Sequence, residues 1–195
     1  LLLPVVLAAC GARPEPLPWS DDFSSQGTWQ AESDAAAEVV IGDGVLRVEV
    51  AIPNQLAWAT ANKHFEDFHL AVEASQVAGP DDNEYGVLAR MRDSENFYRF
   101  SISGDGYFLI SKFVDGEQQV LGSNWTPSDA VRQGQATNLI EITCVGDRLT
   151  LTVNGQTLAQ VEDGQFRRGD IGLYAGTFYE GGVEVHFDNL TIQAP

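Results

Sequence analysis

Three arginines fall in one strand-rich stretch, Tyr85-Gly-Val-Leu-Ala-Arg90-Met-Arg92-Asp-Ser-Glu-Asn96-Phe97-Tyr-Arg99-Phe100. Apolar runs on either side of Asp93–Asn96 predict two strands joined by a four-residue hairpin loop. That register sets Arg92 opposite Phe97, Met91 opposite Tyr98, Arg90 opposite Arg99, Ala89 opposite Phe100 and Val87 opposite Ile102. One face then gathers Val87, Ala89, Met91, Tyr98, Phe100 and Ile102 as core. The other gathers Leu88, Arg90, Arg92, Phe97, Arg99 and Ser101. Three of the chain's eleven basic residues thus share a patch.

Facing guanidinium groups repel, so something must offset them. Carboxylates from a neighbouring strand, such as Glu73, would form a surface ion network of little energetic consequence. Alternatively, the forked donors hold an anionic or hydroxyl-rich ligand. Trp58, Trp125 and Phe97 are then the aromatic platforms on which a sugar face would stack. On this reading Arg90→Ala abolishes binding and leaves the melting temperature nearly unchanged.

Other chemistries find little support. There is no G-x-S-x-G elbow and no H-E-x-x-H pair, and His64, His69 and His186 lack ligand spacing. Gly104-Asp-Gly106 reads as a turn. Cys144 alternates with Ile140 and Ile142, which makes it a small buried hydrophobe without the base and exposure a catalytic thiol needs.

The elements that must position these residues are strands. Glycine recurs at short intervals and no long stretch keeps a helical period. Gly42-Asp-Gly44, Asp115-Gly116 and Asn154-Gly155 mark hairpins. Phe68, Leu70, Val72 and Ala74 alternate with His69, Ala71, Glu73 and Ser75. Residues 122–137, around Trp125, read as a long loop with one helical turn. Many short strands at near-regular spacing indicate an all-β, two-sheet antiparallel β-sandwich of jelly-roll type. The formal net charge is -17, with Lys63 and Lys112 the only lysines. Such a surface repels phosphate backbones and anionic lipid, which argues against nucleic acid as a partner and against direct membrane adsorption.

The first residues, ending in Leu7-Ala8-Ala9-Cys10, resemble the end of a bacterial lipoprotein signal peptide. Cys10 is the expected lipidation site, and several acyl chains would give stable anchoring on the extracytoplasmic face of the envelope. Residues 1–10 are thus a signal remnant, 11–18 a proline-rich linker and 19–195 the sandwich domain.

From Phe65 onward a further likeness accumulates. Glu66-Asp-Phe68, Tyr85-Gly-Val-Leu-Ala-Arg90, Asn96-Phe-Tyr-Arg-Phe100, Gly104-Asp-Gly-Tyr107, Val153-Asn-Gly155, Gly169-Asp-Ile-Gly-Leu173 and Phe187-Asp-Asn-Leu190 follow one another in order. Together they resemble the concanavalin A-like lectin/glucanase superfamily, and within it the jelly-roll domains related to the 3-keto-disaccharide hydrolases. The resemblance implies glycan binding on an outer sheet face or rim. It also implies a structural calcium where first and last strands meet, with Asp21, Asp22 and Asp188 as oxygen ligands. The E-x-D-x-x-E run of laminarinase-like members is missing, and Glu184 and Asp188 have a different spacing. The reading that follows is a lipid-anchored module binding a carbohydrate or cell-envelope ligand without catalysis. A glycoside-processing hydrolase and a purely structural or adhesion domain are the alternatives.

Overall fold

Alternation is what the strands are made of. Along Phe68–Ala78 every second residue from Phe68 to Ala74 is buried, and Leu149, Leu151 and Val153 do the same along Arg148–Val153. Each large apolar side chain withdrawn from water in this way contributes about 1.5–3 kcal/mol. The protein is described by a computed structural model covering residues 14–31 and 33–195. Cys10 and the rest of the Leu7-Ala8-Ala9-Cys10 pattern lie outside the described residues.

Among the described residues, sixteen strands form two eight-stranded antiparallel sheets packed face to face. The first sheet contains β1 (Trp19–Asp21), β3 (Ala37–Gly42), β4 (Val45–Val50), β6 (Phe68–Ala78), β12 (Thr137–Val145), β13 (Arg148–Val153), β14 (Gln156–Glu162) and β16 (Val183–Gln193). Its order is β14-β13-β12-β6-β16-β4-β3, with β1 on β16. The second contains β2 (Gln30–Ala31), β5 (Leu56–Thr60), β7 (Asn83–Asp93), β8 (Asn96–Ile102), β9 (Tyr107–Val114), β10 (Glu117–Val120), β11 (Thr126–Pro127) and β15 (Asp170–Thr177). Its order is β10-β9-β8-β7-β15-β5-β2, with β11 on β9. This is the expected all-β sandwich. The Asn154-Gly155 hairpin forms as expected, with both residues at the positive φ that Asn and Gly tolerate. Residues 122–137 hold the short β11 and no helical turn. Glu15 of the linker already docks on the domain, its N–H donating to His64 O at 2.7 Å and its carboxylate 3.2 Å from Lys63 Nζ.

The central hairpin departs from the expected register. Asp93 pairs with Asn96, so the loop has two residues, and Ala89 lies opposite Tyr98, Leu88 opposite Arg99 and Val87 opposite Phe100. A bulge between Ala89 and Asp93 absorbs the difference. Arg90 sits in it at φ 50°, a left-handed conformation in which the side-chain alternation slips by one. Tyr98, Phe100, Ile102, Val87 and Ala89 belong to the core between the sheets, as expected. Met91 does not: it joins Leu88, Phe97 and Tyr174 in a second cluster on the outer face.

Arg90 turns the other way, and its side chain has no solvent exposure. Nε donates to Glu66 O (3.0 Å), Nη1 to Gly146 O (2.7 Å) and Phe166 O (3.1 Å), and Nη2 to Asp67 Oδ1 (3.1 Å). Gly169 permits this corner, because a Cβ there would sit 2.4 Å from the Arg90 carbonyl carbon and the Met91 oxygen. The expected three-arginine patch therefore does not exist. Glu73 is no partner for it either: it lies on β6 in the other sheet and accepts from Asn189 Nδ2 at 3.2 Å.

Arg90→Met should consequently destabilise the fold, since it leaves three carbonyls without their donor. Leaving a buried acceptor unsatisfied costs about 1–3 kcal/mol. Arg90→Lys should recover only part, because an ammonium cannot fork to acceptors on three separate segments. Urea denaturation of both variants checks this; a midpoint equal to the wild type for Arg90→Met would refute it.

Candidate functional site

The outer face of the second sheet was the expected ligand surface, but its polar groups are already matched. Arg99 is 4% exposed. Its Nη1 lies 3.2 Å from Glu84 Oε1, its Nε donates to Ser111 Oγ, and its guanidinium lies 4.9 Å from the Phe113 ring centre and 5.9 Å from that of Tyr174. The Tyr174 hydroxyl stands 2.5 Å from Ser101 Oγ and 3.3 Å from Glu84 Oε2. Phe97 stacks on Phe113 at 4.8 Å and is itself buried. Gly176 on the neighbouring strand leaves room for Glu84 and Leu56: a Cβ there would meet Leu56 Cδ2 at 2.4 Å and Glu84 Cγ at 3.1 Å. Arg99 and Phe97 thus pave the face and offer little to a ligand. Arg92 is exposed and lies over the Phe166 ring at 5.0 Å.

Two depressions border this paved face, and each holds one of the tryptophans singled out in the sequence. The larger, about 770 Å³, follows the β5 edge. Among the described residues, the short β2 pairs with β5 at Thr60 and Ala59. Trp58, half-buried, stands among Gln30, Gln55, Thr60 and Ser94, with Asp34 on the far wall. Among the described residues, the Trp58 indole N–H and the side chains of Gln30, Gln55, Thr60 and Ser94 have no protein hydrogen-bond partner. Asp34 Oδ1 accepts from the N–H groups of Ala36 and Ala37 at the start of β3. Sequence reasoning found Trp58 but missed its companions, which come from segments far apart in the chain.

The smaller depression, about 210 Å³, lies where loops meet at one end of the second sheet. Trp125, Phe178 and Tyr107 line it with Asp82, Ser103 and Asp105. The Trp125 and Phe178 rings are 6.0 Å apart and nearly perpendicular, at 85°. Buried amides hold these loops: Asn83 Nδ2 donates to Gln76 Oε1 at 2.8 Å and to Pro80 O at 2.6 Å, while Asn83 Oδ1 accepts from Gly104 N–H at 3.0 Å. β11 pairing sets Thr126 opposite Phe108 and Pro127 opposite Tyr107, which fixes the segment that carries Trp125.

The remaining expected sites are placed as follows. Asp21 accepts from Phe23 N–H through Oδ1 and from the Trp29 indole through Oδ2, both at 2.9 Å. Asp22 Oδ1 accepts from Ser24 N–H, and Asp188 Oδ1 from Asn189 N–H. All three act as local turn and edge acceptors. Among the described residues no three His, Cys, Asp or Glu side chains converge as a metal site. Cys144 is buried, and burial pushes its thiol up to about 12, which leaves it inert.

Residues 19–193 match the model of the 3-keto-alpha-glucoside-1,2-lyase-like domain family. No curated protein matches the sequence. Among solved structures, the fold is similar to that of carbohydrate-binding module CBM66 from Bacillus subtilis, with a TM-score of 0.69 and 15% identity over 86% of this chain and 96% of that one. It is also similar to a native glycosidic hydrolase, with a TM-score of 0.70 and 10% identity over 93% and 97% of the two chains. The apo Crh5 transglycosylase gives 0.62 and 11% over 91% and 84%. At such identities the likeness is one of fold.

The Glu84–Arg99 pair carries a pH signature. Burial raises the Glu84 carboxyl above the usual carboxylate range, although Arg99 and the Tyr174 and Ser101 hydroxyls oppose the shift. Between the unfolded value, about 4.3, and the raised folded value, the native chain keeps a proton that the unfolded chain has released. Stability therefore falls as pH rises through that window. Glu84→Gln should remove this component, so the stability difference between wild type and variant shrinks in wild type's disfavour from pH 4 to 7. Denaturant titrations across that range test it, and a difference that stays flat or grows would contradict the assignment.

Proposed function

This chain belongs to the 3-keto-alpha-glucoside-1,2-lyase-like domain family, and from that membership we propose that it binds a glycan along the β5 groove, with Trp58 as the stacking platform. The observation that carries the reading is the state of Trp58. A half-buried indole whose N–H has no partner among the described residues offers an apolar face to the C–H side of a sugar and a donor to its oxygens. Around it, the amides of Gln30 and Gln55 and the hydroxyls of Thr60 and Ser94 both donate and accept, as ring hydroxyls require. The groove is of the size that houses small ligands. Along five residues of β5 it runs roughly 16 Å, longer than a single sugar ring. The fold shared with a carbohydrate-binding module supports the same reading.

The primary reading is binding. Glycoside hydrolysis uses two carboxyl groups flanking the scissile bond, and among the described residues lining the groove Asp34 is the one carboxylate. The family match favours a second reading, turnover of a 3-keto-glucoside in the same groove. Incubation with a 3-keto-α-glucoside separates the two: sugar release lost in Asp34→Asn would establish the enzyme. Lipidation at Cys10, supported by the Leu7–Cys10 pattern and the proline-rich spacer, holds the domain at the extracytoplasmic envelope surface. Cys10→Ser should move the protein from the membrane to the soluble fraction.

A glycan array followed by titration with the best array ligand tests the site. Trp58→Ala should weaken binding at least tenfold, and Gln55→Ala several-fold, with unchanged far-UV dichroism. Full binding by Trp58→Ala would remove the groove from consideration.

A further inference from the structure

The small end pocket has a chemistry different from that of the groove. Its lining has three aromatic rings, one of them a phenol, two carboxylates and one serine hydroxyl, and no basic group. Ser103 is buried and fully occupied: its Oγ donates to Asp105 Oδ1 and accepts from Tyr107 N–H at 3.0 Å. What faces an incoming ligand is therefore π-surface and negative charge. We propose that this pocket is an aromatic cage for an organic cation, a quaternary or primary ammonium head.

Ring geometry decides between a cation and a sugar. Stacking on a sugar needs one flat exposed face. Here Trp125 and Phe178 meet edge to face at 85° with centres 6.0 Å apart, so that their faces point in different directions around the pocket, and Tyr107 adds a third ring to the lining. A corner of rings presents several negative quadrupole faces to one point, the arrangement that favours a compact, weakly hydrated cation. Asp82 and Asp105, both exposed, add Coulombic attraction from the rim. The net charge of -17 biases the whole surface in the same direction. A volume of about 210 Å³ suits a trimethylammonium head and is small for an oligosaccharide.

The walls are set before a ligand arrives. Asp82 precedes Asn83, whose side chain ties the 79–83 turn to Gly104. Ser128 N–H donates to Gly106 O, and Asn54 N–H donates to Phe178 O, so the segments carrying Trp125 and Phe178 are each fastened to a neighbour. Such preorganisation lowers the ordering cost of binding.

The test titrates the full chain with choline and with 3,3-dimethylbutan-1-ol, its uncharged counterpart of the same shape, by calorimetry at low and physiological salt. Choline should bind at least tenfold tighter than the alcohol, and more weakly as salt rises. Trp125→Ala should lower choline affinity at least tenfold, and Trp125→Phe should restore part of it. Asp82→Asn with Asp105→Asn should cost several-fold. An Nα-acetyl-trimethyl-lysine amide that outcompetes choline would identify the cation as a protein side chain; the reverse order would identify a small solute or lipid head, and both orders support the cage. Equal affinity for the alcohol, or undiminished choline binding by Trp125→Ala in a protein of unchanged melting temperature, would overturn it. So would displacement of choline by the glycan that binds the groove. Trp58→Ala should leave choline affinity unaltered, which keeps this result distinguishable from failure of the groove reading.

Discussion

The sandwich is locked at one corner by a single guanidinium. Arg90 leaves its strand in a left-handed bulge and donates to acceptors on three segments, at Glu66–Asp67, Gly146 and Phe166. Asp67 Oδ1 accepts in turn from Gly146 N–H at 2.9 Å, so the turn after β12 is bound to the entry of β6 through the same carboxylate. Beside it, the Tyr98 hydroxyl donates to Asp163 Oδ1 at 2.6 Å and accepts from Phe166 N–H at 3.1 Å, while Lys112 Nζ lies 2.6 Å from Asp163 Oδ2. A buried charge is tolerated when its donors are matched and becomes a heavy liability when they are not. Loops that would otherwise be independent are thereby held as one unit around the end of the second sheet.

The bulge also decides what the outer face becomes. Because the alternation slips at Arg90, Met91 joins Leu88 and Phe97 on the outside, while the arginine that might have stood there is drawn inward. The remaining arginine of that face, Arg99, is sandwiched by Phe113 and Tyr174 and matched by Glu84. With its donors matched and its rings stacked, the centre of the sheet is a finished surface. Unmatched polar groups and half-exposed tryptophans are left at its margins, along β5 and at the loop end.

Much of this was readable in the sequence, and the parts that were not share a cause. Period-two burial identified the strands, the core set of Tyr98, Phe100 and Ile102, and the inert Cys144. Asn154-Gly155 marked its hairpin because two successive positive φ values demand those residue types. The arginine patch failed because a bulge has no hydrophobic signature. Nothing in Ala-Arg-Met-Arg announces that one residue will adopt φ 50° and exchange the two faces beyond it. The two tryptophans were visible as platforms, but whether an aromatic is stacking floor or core filler depends on companions. Ser94, Gln30 and Gln55 reach Trp58 from three separate elements, and Asp82 and Phe178 reach Trp125 from loops far apart in sequence. Only the sheet order brings them together.

Charge explains why two such different pockets can share a chain. A surface this acidic suits hydroxyl-rich ligands, which carry no charge to be repelled, and cations, which are drawn in. In the β5 groove the carboxylate of Asp34 is partly satisfied by backbone N–H groups, and the other polar side chains among the described lining residues are neutral. In the end pocket the carboxylates are exposed and the rings meet at a right angle. The groove thus reads hydrogen-bond geometry and the pocket reads charge. The two lie against one backbone crossing, where Thr177 N–H donates to Gln55 O and Asn54 N–H to Phe178 O. Gln55 lines the groove and Phe178 the pocket, so one backbone crossing anchors a wall of each site.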